Sequence, residues 1–168
     1  FGVLYGMSPH GLSAATGMSF IEAKKFIDDY FKVRQPIKNY LDRTLEQARN
    51  LGYVETFFGR KRPTPDVKSA NYIVRTAAER AAQNMPIQGT EADLMKRAMI
   101  QVDKMLSTKF MGRADLVLQI HDSLIIECDN EVRDEVAKGL VEIMEGVAPE
   151  LPIRLKADVS VGENWGEL

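Results

Sequence analysis

The stretch Gln119–Glu127, QIHDSLIIE, sets an imidazole and a carboxylate, His121 and Asp122, between two apolar runs. DLVLQIH, then DS, then LIIEC reads as two β-rich runs around a two-residue turn, a hairpin with Asp122 at its tip. A carboxylate projected from such a turn can reach water and a divalent cation. Mg²⁺ is a hard ion that prefers oxygen, commonly taking one or two carboxylates while substrate phosphates complete its octahedron. An ordinary turn aspartate and a satisfied core histidine are the plainer alternatives. A metal-dependent hydrolase built on the pair would need further ligands, and the only other histidine, His10, follows Ser8-Pro9 in a surface turn.

A second group of chemistry-bearing residues lies upstream. Arg80, Asn84 and Gln88 recur every fourth position of a long helical pattern, SANYIVRTAAERAAQNMPIQGTEADLMKRAMIQ, that breaks at Pro86 and restarts with Thr90 as N-cap. Spaced so, the three can face one groove, and Arg, Asn and Gln are the side chains that donate to base edges and phosphate oxygens. Before them, Arg60, Lys61 and Arg62 form a basic turn, either a solvated loop or a phosphate contact. The single cysteine, Cys128, sits in the apolar run LIIEC with no basic neighbour to lower its pKa, which suits a structural thiol in a reducing compartment.

These residues must be positioned by a chain of 168 residues, 45% hydrophobic and 27% charged, apolar enough for a core and within the size of one domain. The formal charge of −2 hides an asymmetry. Residues 1–100 hold 15 Lys and Arg against 10 Asp and Glu, while residues 101–168 hold 7 against 14. A basic half can touch phosphates; an acidic half can gather metal or is simply solvated. No apolar run approaches the roughly 18 residues of a membrane span, so a soluble, cytoplasmic protein is expected.

FGVLYGMS reads as the end of an apolar helix, and the chain as a piece of something larger. Ser8-Pro9 starts a short helix that Gly17 ends. Ser19-Phe-Ile-Glu22 is a capping box, followed by Ile21, Phe26, Ile27, Tyr30 and Phe31 near helical spacing. A third helix begins at Pro36, carries Ile37, Tyr40, Leu41, Leu45 and Ala48 on one face, and stops at Leu51-Gly52. YVETFF is extended. After the hairpin come a helix over residues 130–147 and an alternating strand, IRLKADVSV. The fold class is α+β: mostly helical, then a small antiparallel sheet in the order strand, turn, strand, helix, strand.

With those motifs in place the chain resembles family A DNA polymerases, the DNA polymerase I type, over essentially its whole length. FGVLYGMS is similar to the C-terminal half of that family's nucleotide-binding helix, AERAAQNMPIQGTEADLMKRAMI to its next block, and QIHDSLIIE to its His-Asp metal motif; GYVET, GRKR and the NW near the end keep the same order. The resemblance implies fingers helices with the return into the palm over 1–100 and the C-terminal part of the palm over 101–168.

It also implies roles. Asp122 would be one of two Mg²⁺-binding aspartates serving attack of a primer 3′-oxygen on the α-phosphate of a deoxynucleoside triphosphate, with His121 beside the primer terminus. Phe1 would face the incoming nucleotide and Tyr5 the template position, where stacking tolerates any base. Arg80, Asn84, Gln88 and Gln119 would touch primer-template DNA, chiefly in the minor groove, with Arg60 a further DNA contact. Minor-groove acceptors are alike enough that such contacts test pair shape without reading sequence. The implied setting is replication and repair at the chromosome. Two departures stand against the family pattern: Ser123 follows the His-Asp pair where glutamate is usual, and the second aspartate and the triphosphate-gripping basic residues belong before Phe1. Activity is therefore expected to need an upstream part, and a catalytically inactive DNA-binding module is the alternative.

Overall fold

Local signals start and stop the first helices in a computed structural model that describes residues 2–168; Phe1 lies outside the described residues. The Ser8 hydroxyl accepts the Gly11 N–H at the head of α1 (Pro9–Thr16), and Gly17, at φ +77°, closes it. The capping box at α2 (Phe20–Val33) is complete: Ser19 Oγ accepts the Glu22 N–H, and the Glu22 carboxylate accepts the Ser19 N–H at 2.9 Å. α3 (Gln35–Leu51) has its proline in the first turn and ends on Gly52 in the left-handed region.

Residues 2–7 carry the hydrogen bonds that close a helix. The Gly6 N–H donates to the Val3 carbonyl and the Met7 N–H to the Gly2 carbonyl, with Gly6 at φ +84°, the Schellman pattern. The helix-end reading has this geometry behind it over residues 2–7.

The remaining elements are β1 (Tyr53–Glu55), β2 (Lys61–Pro63), a 3₁₀ turn (Pro65–Lys68), α4 (Tyr72–Lys109), β3 (Ala114–Ile120), β4 (Ser123–Cys128), α5 (Arg133–Gly146) and a closing 3₁₀ turn (Trp165–Glu167). Two sheets of two antiparallel strands each, β1-β2 and β3-β4, with helices around them make the fold α+β, as expected. The chain forms two compact units, one up to Thr90 and one over Glu91–Leu168.

Two small cores hold the first unit. Val3, Leu12 and Ala23 are buried with Ile27, Tyr30 and Phe31 packed on them, whereas Ile21 (79% exposed) and Phe26 (47%) point to solvent. Ala48, Val54, Val67, Ala82 and Met85 form the other, joining α3, β1, the 3₁₀ turn and α4. The second unit has one core: Val102, Leu106 and Phe110 of α4, Ala114 of β3, and Val132 and Val136 at α5, with Leu116, Leu124, Ile126 and Cys128 against it. Cys128 is half-buried there, an apolar lining group.

Three expectations are corrected. α4 does not break at Pro86 but runs 38 residues with the proline inside. Proline removes one N–H and crowds the preceding turn at a cost of about 3 kcal/mol; burial of Ala82 and Met85 on either side of that turn offsets it. Thr90 is consequently a mid-helix residue. The basic run is not only a turn, since Lys61, Arg62 and Pro63 pair with Glu55, Val54 and Tyr53. Finally, IRLKADVSV forms no strand: among the described residues of its unit the only strands pair with each other, and an extended segment without a ladder partner stays irregular. Its alternation survives as burial only at the centre, where Leu155 and Ala157 are half-covered between exposed Arg154, Lys156 and Asp158, while Ile153, Val159 and Val161 are exposed.

Candidate functional site

In the first unit the expected nucleic-acid residues sit on and around α4. Each four-residue step of an α-helix overshoots a full turn by about 40°, so Arg80, Asn84 and Gln88 fan over about 80° of one face, with no break between them. Tyr5, 41% exposed, lies in the Gly2–Met7 turn, and this turn rests on the same face. The Asn84 side-chain amide donates to the Tyr5 carbonyl at 3.3 Å. A Cβ on Gly6 would stand 3.0 Å from Arg80 Cγ, so the stem of Arg80 lies along the glycine. Tyr5, Arg80 and Asn84 are thus brought together. Gln88 is exposed one turn further on.

The hairpin β1–β2 is clamped to α4 just beyond Gln88. The Phe57 N–H donates to Thr90 Oγ at 2.8 Å, and the Thr90 hydroxyl donates to the Pro86 carbonyl at 2.5 Å. Within the turn, Thr56 accepts the Arg60 N–H on its hydroxyl, and its own N–H donates to the Arg60 carbonyl. The side chains of Arg60, Lys61 and Arg62 are exposed, and the Lys61 ammonium sits 4.4 Å above the Tyr53 ring. Sequence reasoning missed Gly89 and Thr90 as the seat of this turn. The available signal was a glycine inside a helical pattern, which often marks a close approach.

In the second unit the chemistry-bearing pair is the hairpin turn itself. His121 and Asp122 are the two loop residues, since Ile120 pairs with Ser123, so the turn lies one residue earlier than the Asp-Ser expectation. His121 is at φ +50°, the one non-glycine residue of positive φ among those described. Asp122 is exposed at the tip as expected. Among the described residues its carboxylate takes part in no hydrogen bond or ion pair. Gln119 folds over the turn, its Nε2 donating to the His121 carbonyl at 2.6 Å.

A bulge aims this end of the hairpin. Leu116 pairs with Ile126 but Leu118 with Ile125, so Val117 is the extra residue. Cross-strand partners share a face; Gln119, opposite Leu124, therefore joins the helix-covered face, and Leu118 and Ile120 turn to the other. At the far end Arg113 bonds Asp129 at 3.0 Å and Glu131 at 2.7 Å. The Asp129 hydrogen bond, with support from Glu131, raises the guanidinium's pKa. The open end of the hairpin is pinned by charge while the turn end is left exposed.

The donor set fits a cation only in part. One unencumbered carboxylate is a proper oxygen ligand for Mg²⁺. No group of three metal-ligating side chains gathers among the described residues, however. His10 lies in α1 with its ring 4.5 Å from that of Phe20. No described helix is long and apolar enough to cross a membrane.

Comparison with known proteins converges on one family. The family model for DNA polymerase family A matches residues 1–167. The chain is 47% identical over 165 residues to the thermostable DNA polymerase I of Thermus aquaticus, covering 98% of this chain and 19% of that protein. It is 46% identical to DNA polymerase I of Deinococcus radiodurans (98% and 17%) and 42% identical to that of Pseudomonas aeruginosa (99% and 18%). Among solved structures it is similar to the POL domain of Pol1 from M. smegmatis in complex with DNA primer-template and dNTP, with a TM-score of 0.84 and 40% identity over 92% of this chain and 27% of that one. The chain spans about a fifth of the length of the curated relatives it matches.

Proposed function

The chain belongs to DNA polymerase family A, and from that premise we propose that it is the fingers (1–100) and C-terminal palm (101–168) portion of a DNA-directed DNA polymerase. Its reaction is template-directed, metal-dependent transfer of a nucleotide to a primer 3′-OH, carried out with an upstream part of the polymerase. The observation that carries this reading is the likeness, over 92% of the chain, to a polymerase domain solved with primer-template and dNTP.

On this reading Asp122 is the residue of this chain that holds Mg²⁺, and a second carboxylate comes from upstream. The bound ion supplies Lewis-acid stabilisation of charge at the reacting phosphate and a lowered barrier for the attacking oxygen. The protein's own residues bind and orient. His121, held at the turn with its carbonyl tied by Gln119, lies at the primer terminus. Phe1 and Tyr5 serve the incoming nucleotide and the template position. Arg80, Asn84, Gln88 and Gln119 read the width and shape of the minor groove, and Arg60 meets a backbone phosphate. Ser123, exposed beside Asp122, offers a hydroxyl where the family pattern has a carboxylate and can bond a water of the metal shell, so the chemistry is weakened, not abolished. The setting is the bacterial cytoplasm, in replication and repair.

Primer extension tests this. With a labelled primer-template, Mg²⁺ and all four deoxynucleotides, the isolated chain binds DNA but extends nothing. The polymerase that contains it extends the primer and loses that activity on Asp122→Asn. Extension by the isolated chain would refute the dependence on upstream residues. Full activity of the polymerase carrying Asp122→Asn would remove the metal assignment. Tight, salt-dependent duplex binding without any polymerase activity in the parent would favour the inactive DNA-binding module.

A further inference from the structure

We propose that Thr90, together with Gly89, is a positioning residue that sets the basic hairpin β1–β2 for its DNA contact, a role that rests on the DNA-binding reading above. The Thr90 hydroxyl has one proton and gives it to the Pro86 carbonyl at 2.5 Å, which leaves its lone pairs for the hairpin; the Phe57 N–H occupies one at 2.8 Å. One residue earlier, a Cβ on Gly89 would fall 2.7 Å from Thr56 Cγ2, so only glycine lets the turn seat on the helix. Thr56 is 4% exposed, and its hydroxyl accepts the Arg60 N–H at 3.1 Å.

The contacts run without a gap from the α4 backbone through Thr90 and Phe57, and through Gly89 and Thr56, to the backbone of Arg60. Gln88 adjoins Gly89 in sequence. The backbones of Gln88 and Arg60, the residues assigned groove and phosphate contacts above, therefore ride on one preorganised body, and the spacing between them is set before DNA arrives. Thr90 touches no DNA itself; it acts through Arg60.

The test is duplex binding by the 168-residue chain, followed by anisotropy of a labelled primer-template across a salt series. Thr90→Val should weaken binding at low salt by about threefold to tenfold, the worth of one hydrogen bond. It should also reduce the slope of log affinity against log salt by about 0.9, one phosphate contact. Thr90→Ser, which keeps the hydroxyl, should restore both. In an Arg60→Gln background, Thr90→Val should change nothing further. Gly89→Ala, which displaces the turn without touching the hydroxyl, should reproduce the lower slope and serves as the measurement should Thr90→Val fail to fold by circular dichroism. A wild-type slope in folded Thr90→Val or Gly89→Ala, or additive losses from Thr90→Val and Arg60→Gln, overturns the proposal while the DNA-binding reading stands. A wild-type chain whose duplex affinity ignores salt overturns both.

Discussion

The strained backbone at His121 gives a prediction whose size follows from one dihedral. At φ +50° an L-residue carries roughly 1–2 kcal/mol of steric cost that glycine does not. Glycine in turn loses about 0.5–1 kcal/mol more backbone entropy on folding. His121 is exposed, so no burial changes, and the hydrogen bond from Gln119 falls on its carbonyl and survives any side-chain replacement. The informative pair is His121→Gly against His121→Ala, since both lack the imidazole and only alanine keeps the strain. Glycine should be the more stable by roughly 0.5–1 kcal/mol, a gap of about 1–4 °C in Tm for a chain of this size. Hydrogen exchange of the β3 and β4 amides localises the gain. Primer extension by the parent polymerase should fall equally in both variants, because the role proposed for His121 belongs to its ring. Alanine at least as stable as glycine would refute the strain argument, whatever happened to activity.

The other predictions concern the bulge, the proline and the capping box. Deleting one residue from a strand normally turns every later side chain to the wrong face, but the ladder on both sides of Val117 is already in register, and Val117 is half exposed. Its deletion should leave stability within about 1 kcal/mol while lowering primer extension, since the bulge's extra twist aims the turn; loss of the hairpin's protected amides would contradict this. Pro86→Ala restores an N–H for the Ala82 carbonyl in an unbroken helix, and should stabilise the first unit by about 2 kcal/mol once the loss of proline's unfolded-state restriction is subtracted; a lower urea midpoint would show that α4 depends on the proline. The Glu22 carboxyl is held below its ordinary pKa, first by the Ser19 hydroxyl and then by the Ser19 N–H. Its contribution is therefore present above the unfolded carboxyl pKa of about 4.3 and disappears as pH falls through the lower folded value. Wild type should exceed Glu22→Gln in urea midpoint at neutral pH and converge with it in acid, and a gap independent of pH would count against the hydrogen-bond assignment.

What could be read from the sequence was what local chemistry decides. Ser8-Pro9, Ser19 with Glu22, Gly17 and Gly52 act within one turn of themselves, so α1 began and ended, α2 began and α3 ended where those residues stand, whereas the α2–α3 junction at Arg34 carried no such signal. The β3–β4 hairpin was visible because two apolar runs flank a short polar break. Elements settled by distant partners were not visible. Nothing beside Pro86 announces that α4 packs its Ala82 and Met85 into a core with Val54 and Val67. Alternation in IRLKADVSV states a preference for extended chain but not the partner a strand requires. For the site, Asp122 at an exposed turn and the shared face of Arg80, Asn84 and Gln88 followed from spacing. The seat of the hairpin on Gly89 and Thr90 did not, because the residues that meet there lie 33 apart in the chain.

Three places break a local rule: Pro86 inside a helix, an unpaired Val117 in a strand, and a left-handed His121. Each is adjacent to residues given roles in the proposed function. Pro86 separates Asn84 from Gln88, the Val117 bulge carries Gln119 to the helix-covered face, and His121 forms half of the turn that presents Asp122. Local strain persists only where surrounding contacts over-determine it, and it concentrates where a side chain must be aimed. The energetic argument uses backbone geometry and packing, the family argument uses sequence likeness, and neither takes the other as a premise. Their agreement on the same short stretches implies that Pro86→Ala, which relieves strain without removing a site side chain, should raise stability and lower primer extension by the parent polymerase together. Random structural defects would give no such sign: their repair would leave DNA binding and extension where they were.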